Sequence, residues 1–299
     1  MDPIDWLEAR TPPLAALAIA IIAVSTSAIL VRWSEAPNLV KAFYRVLFTT
    51  LLLSPLAIGR YRDSFARLTR TDYLTSGVIG IALAVHFAAW FESLDWTSVA
   101  ASVTLVQSQP IFVAIGAAAF LDERIRRRTV VGIFVALVGM TFMTLPGADL
   151  TGARPVFGNT LAVVGAVMAA IYVLAGRSLR QRIDLIPYVI VVYSACAATL
   201  LVVTLVEGSP IALTAYPPRE WLLFLGMALG PGVLGHTVIN WSLKHVESSV
   251  VSVSLLGEPV GSAILAAWLL AEIPGLPTIL GGAIVLTGIY VTSRGPSET

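Results

Sequence analysis

Long apolar runs alternate along the chain with short segments that contain charge, proline or glycine. A bilayer core needs about 20 mostly apolar residues per helix, and ten runs approach or reach that length. These predicted transmembrane helices, which we number as spans in chain order, cover approximately Pro13–Trp33, Leu39–Ile58, Tyr73–Phe91, Ser98–Leu121, Thr129–Leu145, Phe157–Gly176, Leu185–Val206, Trp221–Leu243, Ser248–Ala271 and Thr278–Thr292. The pattern therefore predicts an all-α polytopic membrane protein.

The second half of the chain repeats the first, since adding 149 to a residue number finds the equivalent residue. Equivalent pairs include Pro110 and Pro259, Glu123 and Glu272, Gly132 and Gly281, and Gly139 and Gly288. Five spans per repeat is an odd number, so the second copy must enter the membrane from the opposite face. We therefore expect two inverted five-helix repeats, 13–145 and 157–292, joined by an external linker at 146–156. In known membrane proteins, repeats of this kind build alternating-access transporters around a midplane site.

Basic residues indicate which loops face the cytoplasm, because Lys and Arg are retained on that side. A cytoplasmic N-terminus leaves only Arg32, Lys41, Arg154 and Arg219 outside and Arg45 within a span, out of 19 basic residues. Both terminal segments, 1–12 and 293–299, are thus predicted to be cytoplasmic. The loop at Glu123 is followed by four arginines and its equivalent at Glu272 by none, as inversion requires.

Composition excludes several classes of protein. With 57% hydrophobic and 12% charged residues, the chain lacks the charge that a soluble surface needs. A net charge of +1 provides no basic field for nucleic acid. No GxxxxGK[ST] loop, HExxH motif or Cys/His cluster occurs, so neither ATP-driven pumping nor zinc catalysis is supported, and no cofactor or metal is expected.

Glu258 is the only one of the 18 acidic residues that lies deep within a span. Such a group is costly unless it faces a cavity or a partner, so it is a candidate to bind a substrate ammonium or to carry a proton. The alternative is a protonated glutamate that only packs against a neighbouring helix. Its repeat equivalent, Gln109, offers a neutral donor and acceptor. Gln107 lies two residues earlier and would point away from Gln109 on a continuous helix.

Three predicted helix breaks lie at mid-depth, where proline removes an intrahelical hydrogen bond. Either they are gating elements around a central cavity or they are simple kinks in packed helices. The residues concerned are Pro110, Pro259, Gly230, Pro231 and Gly232.

Arg45 is the basic residue within a span. It could receive a substrate carboxylate in two parallel hydrogen bonds. A structural role is the favoured alternative, either by reaching the outer headgroups or by pairing with Glu35 or Glu92.

Other polar and aromatic residues could contribute to a substrate site. His86 and Trp90 share one helix face four residues apart, as do His236 and Asn240; a buried histidine is more often a hydrogen-bonded packing group than a proton relay. Flat walls for an aromatic or apolar substrate could come from Trp90, Tyr44, Tyr172 and Tyr193.

The glycines Gly132, Gly139, Gly281 and Gly288 are expected to permit close helix packing, within the monomer or across a homodimer.

The two repeats resemble a known family. Gln109-Pro110-Ile111-Phe112 to Leu121-Asp122-Glu123-Arg124, followed by two glycines, is similar to the EamA-type repeat of the drug/metabolite transporter superfamily. Leu256-Gly257-Glu258-Pro259 resembles the C-terminal partner of that repeat, and Phe43-Tyr44-Arg45 resembles the family's second helix. The resemblance covers essentially the whole chain and is strongest to bacterial amino-acid exporters, including those for aromatic amino acids.

The resemblance implies ten helices, cytoplasmic termini, and a cavity lined mainly by spans one, three, four, six, eight and nine. It also implies export of small metabolites without ATP. Cavity residues carried over from the family are Gln109, Glu258, Tyr172, His86, Trp90 and Asn240. The repeats are not identical, since Gln109 corresponds to Glu258 and Arg45 to Ser194.

We therefore expect a carrier of the bacterial inner membrane that exports amino acids, with aromatic or large apolar ones favoured. Two alternatives remain open at this point. One is a broad drug/metabolite or nucleotide-sugar carrier of the same fold, and the other, more remote, is a membrane-embedded lipid-modifying enzyme.

Overall fold

The structure is a computed structural model that describes residues 11–97, 99–144, 154–211, 214–271 and 273–293. Almost all of the predicted terminal segments, most of the predicted linker at 146–156, and Glu272 lie outside these residues. All regular elements of the described chain are helical. They comprise Pro13–Trp33, Asn38–Arg60, Arg62–Arg67, Arg70–Trp96, Val99–Val106, Gln109–Phe120, Arg127–Thr144, Pro155–Arg180, Leu185–Val206, Pro218–Met227, Val238–His245, Ser248–Ser254, Gly257–Leu269 and Leu276–Ser293, with a π-helical segment at Ala228–Thr237.

Within the described residues, nine helices are long and apolar enough to cross a membrane. They correspond to nine of the ten predicted spans. The helix at the fifth predicted span, Arg127–Thr144, is not among the nine, so the count of ten stays a prediction. The all-helical polytopic class is confirmed.

Two features of the first repeat differ from the sequence prediction. The third span runs over Arg70–Trp96 and is longer than predicted, because the Thr69 side chain and the Asp72 carboxylate form a capping box that starts the helix before the apolar run. A short helix at Arg62–Arg67 precedes it. Polar and charged residues dominate both additions, so the apolar pattern did not reveal them.

The fourth and ninth spans are each divided at equivalent positions. In the fourth span, one helix ends at Val106 and the next begins at Gln109, directly before Pro110. In the ninth, the helix beginning at Gly257 has Pro259 in its first turn. Proline is tolerated in the first turn, where the N–H groups have no intrahelical acceptor. Each proline therefore begins a new helical segment rather than bending a continuous one.

The eighth span also departs from α-helical geometry at its predicted break. Residues Ala228–Thr237, which include Pro231, form a π-helix between two α-helical segments. Thr237 Oγ1 donates to the carbonyl oxygen of Gly232 at 3.2 Å inside this segment. Pro231 therefore lies in π-helical rather than α-helical backbone, and π-helical turns inside longer α-helices often occur at functional sites.

Contacts between spans occur in pairs that the repeat relates to each other. The third span packs on the sixth, and its equivalent, the eighth, packs on the first. The fourth likewise packs on the sixth, and the ninth on the first. The second span contacts its own equivalent, the seventh, and the fifth contacts the tenth. The two repeats are thus joined with approximate two-fold symmetry.

The fifth and tenth spans cross through their glycines. A Cβ added at Gly132 would lie 2.7 Å from the Gly288 carbonyl oxygen, and one added at Gly139 would lie 2.7 Å from that of Gly281. Residue numbers rise along one helix as they fall along the other, so the two equivalent helices run antiparallel. This is the relation expected of inverted repeats. The glycine face is buried within one chain, so a homodimer would have to use another surface.

Candidate functional site

A central cavity lies beside the three helix breaks. It has a volume of about 80 Å³ and is lined by residues of seven spans. Six of these are the spans implied by the family resemblance, and the second span adds Arg45. The cavity has room for a few water molecules but is far below the roughly 300–1,000 Å³ of small-molecule sites. A small molecule of that size would therefore need a wider conformation to bind here.

Glu258 is the acidic residue of this cavity. It lies in the first turn of the helix that follows the break in the ninth span. Ser25 Oγ of the first span donates to the Glu258 carbonyl oxygen at 3.1 Å, and Gly261 lies against the Ser25 side chain. The break and this close packing hold the carboxyl group at the cavity wall.

Arg45 is the basic residue of the same cavity. One guanidinium nitrogen donates to Ser27 Oγ at 3.2 Å, and the guanidinium carbon lies 5.2 Å from the centroid of the Phe87 ring. The residue is buried, and its contacts do not include Glu35 or Glu92. The described ion pairs include neither Arg45 nor Glu258. A basic and an acidic side chain therefore face one cavity without pairing directly with each other.

His86 and Trp90 form a wall on the third span. The rings are stacked with centroids 6.2 Å apart, and His86 Nδ1 lies 2.9 Å from the Gly165 carbonyl oxygen. Because a carbonyl can only accept, Nδ1 carries a proton, and when the ring is neutral Nε2 is an acceptor. Trp90 Nε1 is buried and has no hydrogen-bond partner.

Asn240 lies behind the cavity rather than on its wall. Its amide nitrogen donates to the Tyr172 hydroxyl, to the Tyr193 hydroxyl at 3.3 Å, and to the His236 carbonyl oxygen at 2.7 Å. The Tyr172 ring reaches the cavity, as does His236. Asn240 thus orients a wall residue.

Tyr44 does not line the cavity. Its hydroxyl donates to the Ile211 carbonyl oxygen, and its ring stacks on Phe224 with centroids 5.0 Å apart. Trp221 packs edge-on against the same ring. These contacts place Tyr44 in an aromatic cluster at the start of the eighth span.

The expectation that Gln107 points away from Gln109 is wrong, because both line the cavity. The helix is interrupted between them, so helical periodicity does not apply. Phe87 and Ser27 also reach the cavity, but a phenylalanine or a serine in an apolar span is too common for the sequence to single out.

The model of the EamA-like transporter family matches the chain twice, over residues 12–145 and 156–294. An uncharacterized transporter of Archaeoglobus fulgidus is 30% identical over 85% of this chain and 94% of its own length. A pseudopaline exporter of Pseudomonas aeruginosa is 27% identical over 84% of both chains. A solved crystal structure aligns with a TM-score of 0.77 over 93% of this chain and 95% of that one, at 20% identity, which shows the same fold.

These matches cover both repeats, and the named relatives are transporters rather than enzymes. The lipid-modifying enzyme considered from the sequence is therefore discarded. The chain is a membrane transporter that belongs to the EamA-like transporter family, within the drug/metabolite transporter superfamily.

Proposed function

We propose that this transporter exports amino acids, especially aromatic or large apolar ones, by alternating access and without ATP. The observation that carries the proposal is the unpaired presence of Arg45 and Glu258 in one buried cavity. Isolated charges in a membrane protein are costly unless a partner or water satisfies them. A zwitterion supplies both partners at once, its carboxylate to Arg45 and its ammonium to Glu258.

The remaining wall suits an apolar side chain. Trp90, Phe87, Leu83 and Val173 contribute flat or branched apolar surface, and the Tyr172 ring adds a polar edge. Aromatic substrates bury large areas against such walls and gain further from ring–ring contacts. This composition supports large apolar amino acids over small polar ones.

A nucleotide sugar fits the cavity charge less well. Its diphosphate would bring two negative charges to a wall with one arginine and one glutamate. The broader metabolite alternative is supported by the relative that is named as a pseudopaline exporter. A substrate with both a carboxylate and an amine would satisfy the same two residues.

Alternating access is supported by the breaks in the fourth, eighth and ninth spans, all of which contribute to the cavity wall. The regular α-helical hydrogen bonding changes at these places, and we expect the helices to pivot there. The basic loops further support a topology with both termini in the cytoplasm, and the location that we propose is the bacterial inner membrane.

Counterflow in liposomes containing only the purified protein tests the substrate class. Vesicles are preloaded with unlabelled phenylalanine, tryptophan, methionine, threonine or a nucleotide sugar, and uptake of the labelled compound is measured. Competition by phenylalaninamide, which lacks the carboxylate, and by N-acetylphenylalanine, which lacks the ammonium, should be at least about 30-fold weaker than by phenylalanine. Exchange of the nucleotide sugar but of no amino acid would refute the proposal.

Three variants test whether Arg45 and Glu258 determine the substrate preference. Arg45→Gln should remove the preference for phenylalanine over its amide, whereas Arg45→Lys should retain part of it. Glu258→Gln should remove the preference over the N-acetyl derivative. Thermal unfolding is measured alongside, and a uniform loss of exchange in a variant that remains folded would count against the proposed pairing.

A further inference from the structure

Glu123 makes a set of contacts between the repeats at the arginine-rich end of the bundle. Its Oε1 accepts from the Ser248 backbone N–H at 3.1 Å and from Arg177 Nε at 3.2 Å, and its Oε2 accepts from Ser248 Oγ at 2.9 Å. The Glu123 side chain is only 8% exposed. Both carboxylate oxygens are therefore used, and all three donors belong to other spans.

Ser248 is the first residue of the ninth span, and the residue before it, Glu247, provides no side-chain cap. The first N–H groups of a helix need acceptors from outside the helix, and a carboxylate there also meets the positive end of the helix dipole. Glu123, from the loop of the first repeat, thus caps a helix of the second repeat. That helix leads to Glu258 in the cavity.

Arg177 extends the connection to the eighth span. A terminal guanidinium nitrogen donates to the Leu243 carbonyl oxygen at 2.8 Å and to that of Lys244 at 3.1 Å. These carbonyls belong to the last turn of the eighth span and have no intrahelical donor. We call Glu123, Arg177, Ser248 and these two carbonyls the Glu123 clamp.

A second layer of packed residues lies between the Glu123 clamp and the cavity. Gly176, directly before Arg177, packs against the side chains of Leu243 and Tyr188. Between this level and the cavity lie the buried Asn240, Tyr172 and Tyr193 with their hydrogen bonds. Packed and hydrogen-bonded side chains thus occupy two levels between the cavity and the arginine-rich end.

The repeat does not reproduce this clamp at the other end of the molecule. The positions equivalent to Arg177 and Ser248 are Ala28 and Val99, which supply neither a cation nor a hydroxyl. The remaining equivalent, Glu272, lies outside the described residues. Hydrogen bonds that involve a charged group are stronger than those between neutral groups. Because the equivalent positions at the other end lack these donors, the sequence difference favours closure at the arginine-rich end.

We propose that Glu123 is a positioning residue that closes the pathway at the arginine-rich end, which the loop charges predict to be cytoplasmic. Its clamp biases the empty transporter toward the conformation closed on that side. These contacts must break when the substrate enters from the cytoplasm. The inference rests on membership of the transporter family and does not depend on the amino-acid substrate.

Accessibility of a cysteine in the cavity tests the bias. Ala169 is a buried wall residue, and Ala169→Cys is labelled with a membrane-impermeant thiosulfonate in inside-out and right-side-out vesicles. The natural Cys196 is fully buried, and the protein without Ala169→Cys provides the blank. Glu123→Gln should raise the labelling rate from the arginine-rich side about tenfold and lower it from the other side.

Further variants distinguish opening of the arginine-rich side from destabilisation of the whole protein. Arg177→Gln should act in the same direction, and the double variant should give less than the sum of the two effects, because both remove one clamp. Asp63→Asn, at an exposed acid of the helix Arg62–Arg67, should leave both rates unchanged. Unchanged labelling in Glu123→Gln, or equal rises from both sides, would overturn the proposal. A rise confined to the opposite vesicle orientation would correct the predicted topology and leave the clamp in place.

Discussion

Asp122 and Ala271 lie 149 positions apart, at equivalent places in the two repeats, and share a left-handed backbone with φ of 53° and 54°. They are the non-glycine residues with positive φ in the described chain. In the first repeat this turn directs Glu123 toward the ninth span. The repeat has thus preserved a strained backbone geometry where the side chains differ.

The strain predicts that glycine stabilises the second turn. Left-handed geometry costs an alanine roughly 1 kcal/mol, so Ala271→Gly should raise the free energy of unfolding by about that amount. Asp122→Gly should raise the free energy of unfolding by a smaller amount, because aspartate tolerates left-handed backbone geometry better than alanine does. Thermal unfolding followed by tryptophan fluorescence measures both. As a control, Ala266→Gly, inside the helix of the ninth span, should lower the free energy of unfolding by about 1 kcal/mol. A similar decrease for Ala271→Gly would contradict the prediction.

The contact between the fifth and tenth spans predicts strong sensitivity to a single methyl group. A Cβ at Gly139 would lie 2.6 Å from the Val285 backbone nitrogen, so Gly139→Ala must separate the helices and should cost about 1–3 kcal/mol of stability. Gly77 provides the matched control, since its added Cβ would meet nothing within 4 Å. Gly77→Ala should stabilise its helix by about 0.5–1 kcal/mol. Equal effects at the two glycines would show that the crossing is looser than described.

The sequence predicted features that repeat or that follow the apolar pattern. The sequence alone predicts the internal duplication and the helical class. It also predicts the positions of the breaks at Pro110, Pro231 and Pro259. Glu258 could be identified because an acid within an apolar run is costly and therefore conspicuous.

Features that depend on contacts between distant residues were not predicted. Arg45 could not be distinguished from a headgroup anchor until Ser27 and Phe87 were placed beside it. Tyr44 was grouped with the site by residue type, whereas its neighbours lie at the start of the eighth span. The partners of Glu123 are 54 and 125 residues away along the chain, beyond any periodic signal.

Glu207 predicts a pH dependence of stability outside the spans. Partial desolvation, followed by the nearby carboxylates of Glu92 and Asp95, raises the pKa of this exposed residue above the ordinary value of 4.5. A raised acid pKa means that the folded state binds the proton more readily, so stability should rise as the pH falls from neutrality toward 4.5. Glu207→Gln should increase the melting temperature at pH 7 and reduce this rise, whereas Glu207→Asp should retain it. An identical pH profile in wild type and Glu207→Gln would refute the assignment.

Glu258 is the group that we expect to couple transport to protons. Its carboxyl group shares the cavity with Arg45, His86, His236 and Tyr172, and a site used in turn by a proton and a substrate ammonium would exchange one for the other. Glu258→Gln keeps the size and the hydrogen-bonding capacity of the side chain but cannot bind a proton. At saturating substrate the variant should retain counterflow, lose the pH dependence of counterflow, and no longer accumulate substrate when a proton gradient is imposed.

Both histidines could also titrate, so His86→Gln and His236→Gln are measured in parallel and should keep gradient-driven accumulation. Accumulation that survives in Glu258→Gln but disappears in a histidine variant would transfer the coupling role to that imidazole.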